Sequence, residues 1–270
     1  MQNRFIGVML AATLASAAWG QAARPATVAG HPNMNGVWQA ISTANWNLEA
    51  HSAEAIDAFW GMGAIAAIPA GKSILKGGGT IPYLPKALEQ RNKNRAAWPE
   101  ADPEARCYML GVPRSVYFGM PFQIFQGNDD YAISQPFAAT NRVIHMKPIE
   151  DLPVESWMGQ STGKWTGTTL EVVTKDQNDK TWFDRAGNFH SDDLMVTERF
   201  TPIDKDHIRY EATMTDPVVF SRPWTIELVL YRLIEENAQI QEHKCVAFAD
   251  KLLYSDLMHL EPQKKPAASK

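Results

Sequence analysis

From His207 to Thr215 the chain alternates without a break. Ile208, Tyr210, Ala212 and Met214 fall on one side of an extended backbone, and His207, Arg209, Glu211 and Thr213 on the other. A period of two over nine residues defines a half-buried β-strand, one face in a core and one in water. The segment is one of a series. Short apolar or alternating runs at 37–40, 116–118, 122–126, 131–134, 142–146, 170–174, 194–200, 224–233 and 239–246 are separated by turn residues such as Asn128-Asp129-Asp130. About eight to ten strands joined by short turns predict a mainly β chain built as an antiparallel, lipocalin-like (calycin-like) barrel or strongly curved sheet. A β-sandwich is the alternative that periodicity leaves open.

The rest of the chain is arranged around that series. Residues 1–22 read as a signal peptide: Arg4 precedes an apolar run, and small residues follow at Ala18, Gly20 and Ala22. No cysteine follows the run, so a lipid anchor is not expected, and the mature protein is placed in the periplasm or secreted. Residues 23–110 form an irregular, partly helical segment, a lid or side layer. Helices are expected over 48–59, with Asn47 as cap, and over 86–97. The barrel domain spans 111–260 and ends in a helix over 248–260, and 261–270 is a disordered tail. A net charge of −4 without clustered Lys/Arg excludes the electrostatic footprint of a nucleic-acid binder. No mature segment reaches the roughly 18 apolar residues of a membrane span. Export makes Cys107 and Cys245 a natural disulfide, the alternative being two buried thiols. Oligomerisation is left open.

Chemistry is suggested most strongly at 178–200. In the strand that ends there, Leu194, Val196, Glu198 and Phe200 share one face, so Glu198 points where apolar neighbours point. An inward carboxylate must be paired, hydrogen-bonded or protonated, and such a group makes a candidate general acid or base. His190, beside Ser191, Asp192 and Asp193, is the second candidate proton carrier. Arg114 would hold an anionic group or Glu198 itself. The structural alternatives are an ion pair of Glu198 with Arg114 or Arg209, and a turn-capping role for His190. Of nine tryptophans, Trp157, Trp182 and Trp224, with Tyr210, are candidates to line an apolar pocket, which the run at 64–68 would close. The seven histidines are scattered, with neither zincin spacing nor a cysteine cluster, so no metal or other cofactor is expected. Gly71-Lys72-Ser73 lacks the earlier glycine of a phosphate-binding loop, since Ala66 stands there.

Several segments together resemble a family of exported, largely uncharacterised bacterial proteins. They are Cys107-Tyr-Met-Leu-Gly-Val-Pro-Arg114, Ser156-Trp-Met-Gly159, Thr181-Trp-Phe-Asp-Arg-Ala-Gly-Asn-Phe-His-Ser191 and Arg222-Pro-Trp-Thr225. Arg114, His190 and Glu198 match the family pattern, whereas Thr166 and Thr168 stand where it carries acids, in what reads as a surface hairpin. The functional expectation is a barrel that takes a small hydrophobic or aromatic molecule and transforms it by acid/base chemistry, of isomerase, lyase or hydrolase type. A binding protein without turnover, or an envelope protein that docks a partner, are the alternatives.

Overall fold

The computed structural model describes residues 25–56, 67–150 and 153–249. The expected signal peptide, residues 64–66 of the apolar run, the expected terminal helix beyond Ala249 and the tail lie outside the described residues. Nine strands close into one barrel: β1 (Gly36–Ala40), β2 (Phe122–Gln126), β3 (Asp130–Gln135), β4 (Thr140–His145), β5 (Gln160–Thr166), β6 (Thr169–Lys175), β7 (Met195–Pro202), β8 (His207–Thr215) and β9 (Trp224–Arg232). Each strand pairs with its neighbours in sequence, and β9 closes on β1 through Leu230↔Ala40, Tyr231↔Gln39 and Arg232↔Trp38.

An odd number of strands cannot alternate direction all the way round a ring, so one junction must be parallel. It is β4·β5, held by only two residue pairs, Ile144↔Ser161 and His145↔Thr162, while the other eight junctions are antiparallel. To run parallel, β5 must start at the same end of the barrel as β4. This arrangement also sorts the connections. Tight turns sit at one end, among them the two-residue loop Gly167-Thr168 of the β5–β6 hairpin, where Gly167 takes φ +61°. The segments 41–56, 67–121, 176–194 and 216–223 and the short connection 136–139 gather at the other end and cap it.

Alternation fills the interior. Trp38, Phe122, Phe200 and Tyr210 are at most 1% exposed and belong to one contiguous core with Ile144, Leu170, Val196, Met214, Ile226 and Leu230. The opposite face carries the charges that the period of two sends outward: Glu171, Arg199, Glu211 and Glu227 form an ion-pair ladder with Lys164 and Lys76 across β5–β9. Such exposed pairs each contribute little.

The long connection 41–121 carries α1 (Pro85–Ala96) and α2 (Arg114–Tyr117). α1 is the polar helix expected over 86–97, entered through Pro85, whose missing N–H costs nothing in the first turn. Three expectations are corrected. Residues 48–56 of the expected first helix are not helical. Asn47 Oδ1 accepts from the Glu49 N–H in a local turn, the Leu48 N–H is taken by Asp184, and His51 exchanges backbone bonds with Gly71. Residues 116–118 are not a strand: Val116 and Tyr117 lie in the short helix α2, which brings Arg114 onto Asp102 and Glu104. Residues 239–246 are not a strand either but an exposed strap, because a barrel closed by β9·β1 has no free edge for a tenth strand. Although the surface hairpin expected at Thr166 and Thr168 is the β5–β6 hairpin, no apolar run marks β5 as a strand. Its Gly163 breaks the apolar alternation, and a Cβ there would lie 2.9 Å from both Ile144 Cγ2 and Met146 Sδ, so the glycine lets the seam strands approach.

Candidate functional site

Glu198 does face the barrel interior, and it is fully buried. Its partner is neither Arg114 nor Arg209 but Arg142, on β4, which is 4% exposed. The two meet bidentately, Arg142 Nη1 donating to Oε1 at 3.1 Å and Nη2 to Oε2. The Tyr210 hydroxyl donates to Oε1 at 2.8 Å. Arg142 Nε donates to Ser161 Oγ at 2.8 Å and Nη2 to Thr174 Oγ1 at 2.6 Å. Five successive strands, β4 to β8, thus each give one side chain to a single polar layer. Burial, then the neighbouring Glu198, pushes the Tyr210 phenol well above its ordinary value. The layer is satisfied internally, and every hydrogen bond the carboxylate makes is spent on the protein.

Arg114 belongs to a second network, in the cap. Its guanidinium donates to Asn45 Oδ1 (2.8 Å), to both Asp102 oxygens (3.1 and 3.3 Å) and to Glu104 (2.5 Å). Glu104 also receives a bidentate pair from Arg185. Burial alone would raise the Glu104 carboxyl, but Arg185 and Arg114 hold it below its ordinary value. The motif 181–191 is the hub of this cap. Asp184 accepts from the N–H groups of Leu48, Ala186 and Asn188 and from the Asn188 amide. Asn188 in turn accepts from Tyr83 and Arg91, and the Gly187 carbonyl from Asn94. Gly187 sits at φ +83°, and a Cβ there would lie 2.6 Å from the Arg95 nitrogen, so the motif's glycine lets α1 rest on the turn. The density of this motif reflects latching of three cap segments together.

His190 is buried, its ring 5.2 Å from that of Phe183. Nδ1 lies 2.8 Å from the Ser191 carbonyl, which can only accept, so Nδ1 carries the proton and Nε2 accepts from the Thr181 hydroxyl at 2.7 Å. Burial lowers its pKa, against the opposing pull of the Ser191 carbonyl and Asp216. The unfolded chain therefore takes up a proton below about pH 6.5 that the folded chain refuses, so this group's contribution to stability is present above that pH and lost as pH falls. The slope is at most about 1.4 kcal/mol per pH unit. Asp184, pushed by burial up to about 6, acts in the opposite sense: the fold keeps its proton up to a higher pH than the unfolded chain does. Urea unfolding of wild type and His190→Asn between pH 7 and 5 isolates the histidine. The difference in stability between the two should narrow with acidification, and a constant difference would refute a buried neutral His190.

The four aromatic candidates do not share a pocket. Tyr210 lies inside the barrel. Trp182 is buried, its carbonyl 3.5 Å from Arg114. Trp224 packs edge-on to Phe183 and Phe220 and borders a small cavity of about 170 Å³ with Arg222. Trp157 lines a cleft of about 580 Å³ beside the β4·β5 seam, with Met109, Met158 and Arg142. Glu198, His190 and Arg114 likewise occupy three separate clusters.

The site the sequence did not single out lies over the capped end. Residues just after β1, just before β2 and just after β3 meet the C-terminal strap there and enclose a cleft of about 530 Å³. Its walls are aromatic: Trp46, Trp98, Phe118, Phe137 and Phe248. Its polar floor is Glu104 and Arg185, the exposed edge of the Arg114 network, and the Arg185 guanidinium lies 4.3 Å from the Trp46 ring centroid and 6.0 Å from that of Trp98. The disulfide Cys107–Cys245 forms, and it fastens the strap across the cleft. A smaller pocket of about 90 Å³ shares Trp46, Trp98 and Arg185 and reaches His51 and Ile68. Among the described residues no helix is long and apolar enough to cross a membrane, and no group of three or more His, Cys, Asp or Glu side chains is placed to hold a metal. Comparison with protein-family models, curated proteins and solved structures finds no match to the chain.

Proposed function

We propose that the protein is an exported β-barrel that binds a small hydrophobic or aromatic molecule in the cap cleft, as a binding protein rather than a catalyst acting through Glu198 and His190. The observation that carries this is the cleft itself: five aromatic side chains around about 530 Å³, with a few polar groups at the floor. A concave, mostly apolar site of 300–1,000 Å³ with a small number of placed polar groups is what a small-ligand site requires. The barrel interior is filled by Trp38, Phe122, Phe200 and Tyr210. Acid/base work needs a proton carrier within reach of a substrate. Glu198 and His190 are buried in separate clusters with their polar atoms engaged. The disulfide supports export, since such bonds persist in oxidising compartments.

Native mass spectrometry of the exported chain, with titration of indole and naphthalene followed by tryptophan fluorescence, tests the reading. A near-stoichiometric small adduct or saturable binding is expected. Trp46→Ala combined with Trp98→Ala should weaken it by roughly tenfold or more, about 1.4 kcal/mol. An empty chain that binds neither probe would refute it.

A further inference from the structure

The cleft's hydrogen-bonding groups are unequally used, and the inequality has a sign. Asp102 accepts from Arg114 and from the Glu104 N–H, and Glu104 accepts from Arg114, Arg185 and Asn45. Asn45 is itself taken, its oxygen by Arg114 and its amide by Glu104. The acceptors at the floor are therefore spent. The donors are not. Arg185 commits Nε and Nη2 to Glu104, and among the described residues its Nη1, with two N–H bonds, has no partner. The Arg185 side chain is 27% exposed. Lys244, on the strap at the cleft wall, is exposed and makes no ion pair among the described residues. An arginine held over one tryptophan and fixed by a carboxylate on one side presents its remaining edge pre-organised, which is how a guanidinium recognises a carboxylate at low entropic cost.

We propose that the ligand of the cap cleft is an aromatic carboxylate: its ring lies among Trp46, Trp98, Phe118 and Phe137, its carboxylate accepts from Arg185 Nη1, and Lys244 supplies a second positive charge at the mouth. The proposal rests on the cleft being the binding site and goes further by fixing the charge of what it takes. A cationic aromatic would meet Arg185 and Lys244 with like charge. A neutral one would leave the free guanidinium edge unused.

Three probes with one ring separate the cases: indole-3-acetate, indole-3-acetamide and tryptamine, titrated into the full chain at pH 7 by calorimetry. The acid should bind at least tenfold more tightly than the amide, with tryptamine weakest, and the preference should shrink as salt is added. Arg185→Gln, which leaves Glu104 its contact with Arg114, should bring the acid-to-amide ratio down to about the threefold that Lys244 supplies. Lys244→Gln lies on the exposed strap and serves if the first variant does not fold; it should weaken the acid about threefold and leave the amide unchanged. If the amide or the amine binds as tightly as the acid, the carboxylate assignment is overturned while the cleft stands as the binding site. If none of the three binds, both fall.

Discussion

Replacing Arg142 with methionine should destabilise the protein by about 3–5 kcal/mol, and replacing Glu198 with leucine in the same chain should restore much of the loss. The single variant leaves the carboxylate of Glu198 fully buried with one hydrogen bond, from Tyr210, and no cation. Stranding a buried charge costs far more than the intact pair gains over apolar residues of similar size, because the pair has already been charged with desolvation on both sides. The recovery should be incomplete. Once Glu198 is gone the Tyr210 hydroxyl loses its acceptor, at about 1–3 kcal/mol, whereas Ser161 and Thr174 retain each other at 2.9 Å. Adding Tyr210→Phe should therefore bring the triple variant closer to wild type than the double. Urea unfolding with unchanged m-values measures all three. A loss below about 1 kcal/mol in Arg142→Met would mean that water reaches the pair, and the layer would then be a candidate for chemistry after all. As a structural element the layer is well placed, since it crosses the β4·β5 seam, where the backbone ladder is shortest.

The barrel was legible because alternation is a local signal. His207–Thr215 is a strand over the residues its period marks, and the same rule placed Glu198 inside. Applied to β4, that rule also sets Arg142 between the inward Thr140 and Ile144, so the partner of Glu198 was within reach of the reasoning that identified Glu198. Arg114, at the end of the Cys107–Arg114 segment, stood out instead, and it pairs in the cap. The cap was not legible, for a physical reason. Residues 48–56 have helix-compatible composition, but Asp184 and Gly71, distant in sequence, take their backbone groups. The aromatics that form the cleft come from Trp46, Trp98, Phe118, Phe137 and Phe248, spread over some 200 residues with no shared period. Only Arg185 lies in a motif that the sequence marks, and there His190 is the more conspicuous residue. Motif density marks the hub that holds the cap together, and the cleft it supports has to be read from coordinates.

Converting Cys107 and Cys245 to serine should produce two losses of different origin. The bridge closes 138 residues, a loop that contains eight of the nine barrel strands, so in the chain-entropy account its removal frees the unfolded state by up to about 5 kcal/mol. That loss appears in urea unfolding and needs no change in the fold. The second is native-state. Besides the bridge, the Phe248 N–H donates to the Ala105 carbonyl at 2.9 Å and His243 stacks on Phe137 at 5.9 Å. Without the bridge the strap should open locally, a loss of hydrogen-exchange protection confined to its amides while β7–β9 keep theirs. The cleft would then lose Lys244 and Phe248 from its wall, and aromatic ligands should bind roughly tenfold more weakly, about 1.4 kcal/mol. Stability that falls with affinity unchanged would mean that packing alone seats the strap. Affinity that falls together with strap protection would make the disulfide part of the binding site, so the cleft would be complete only where the compartment is oxidising enough to form the bond.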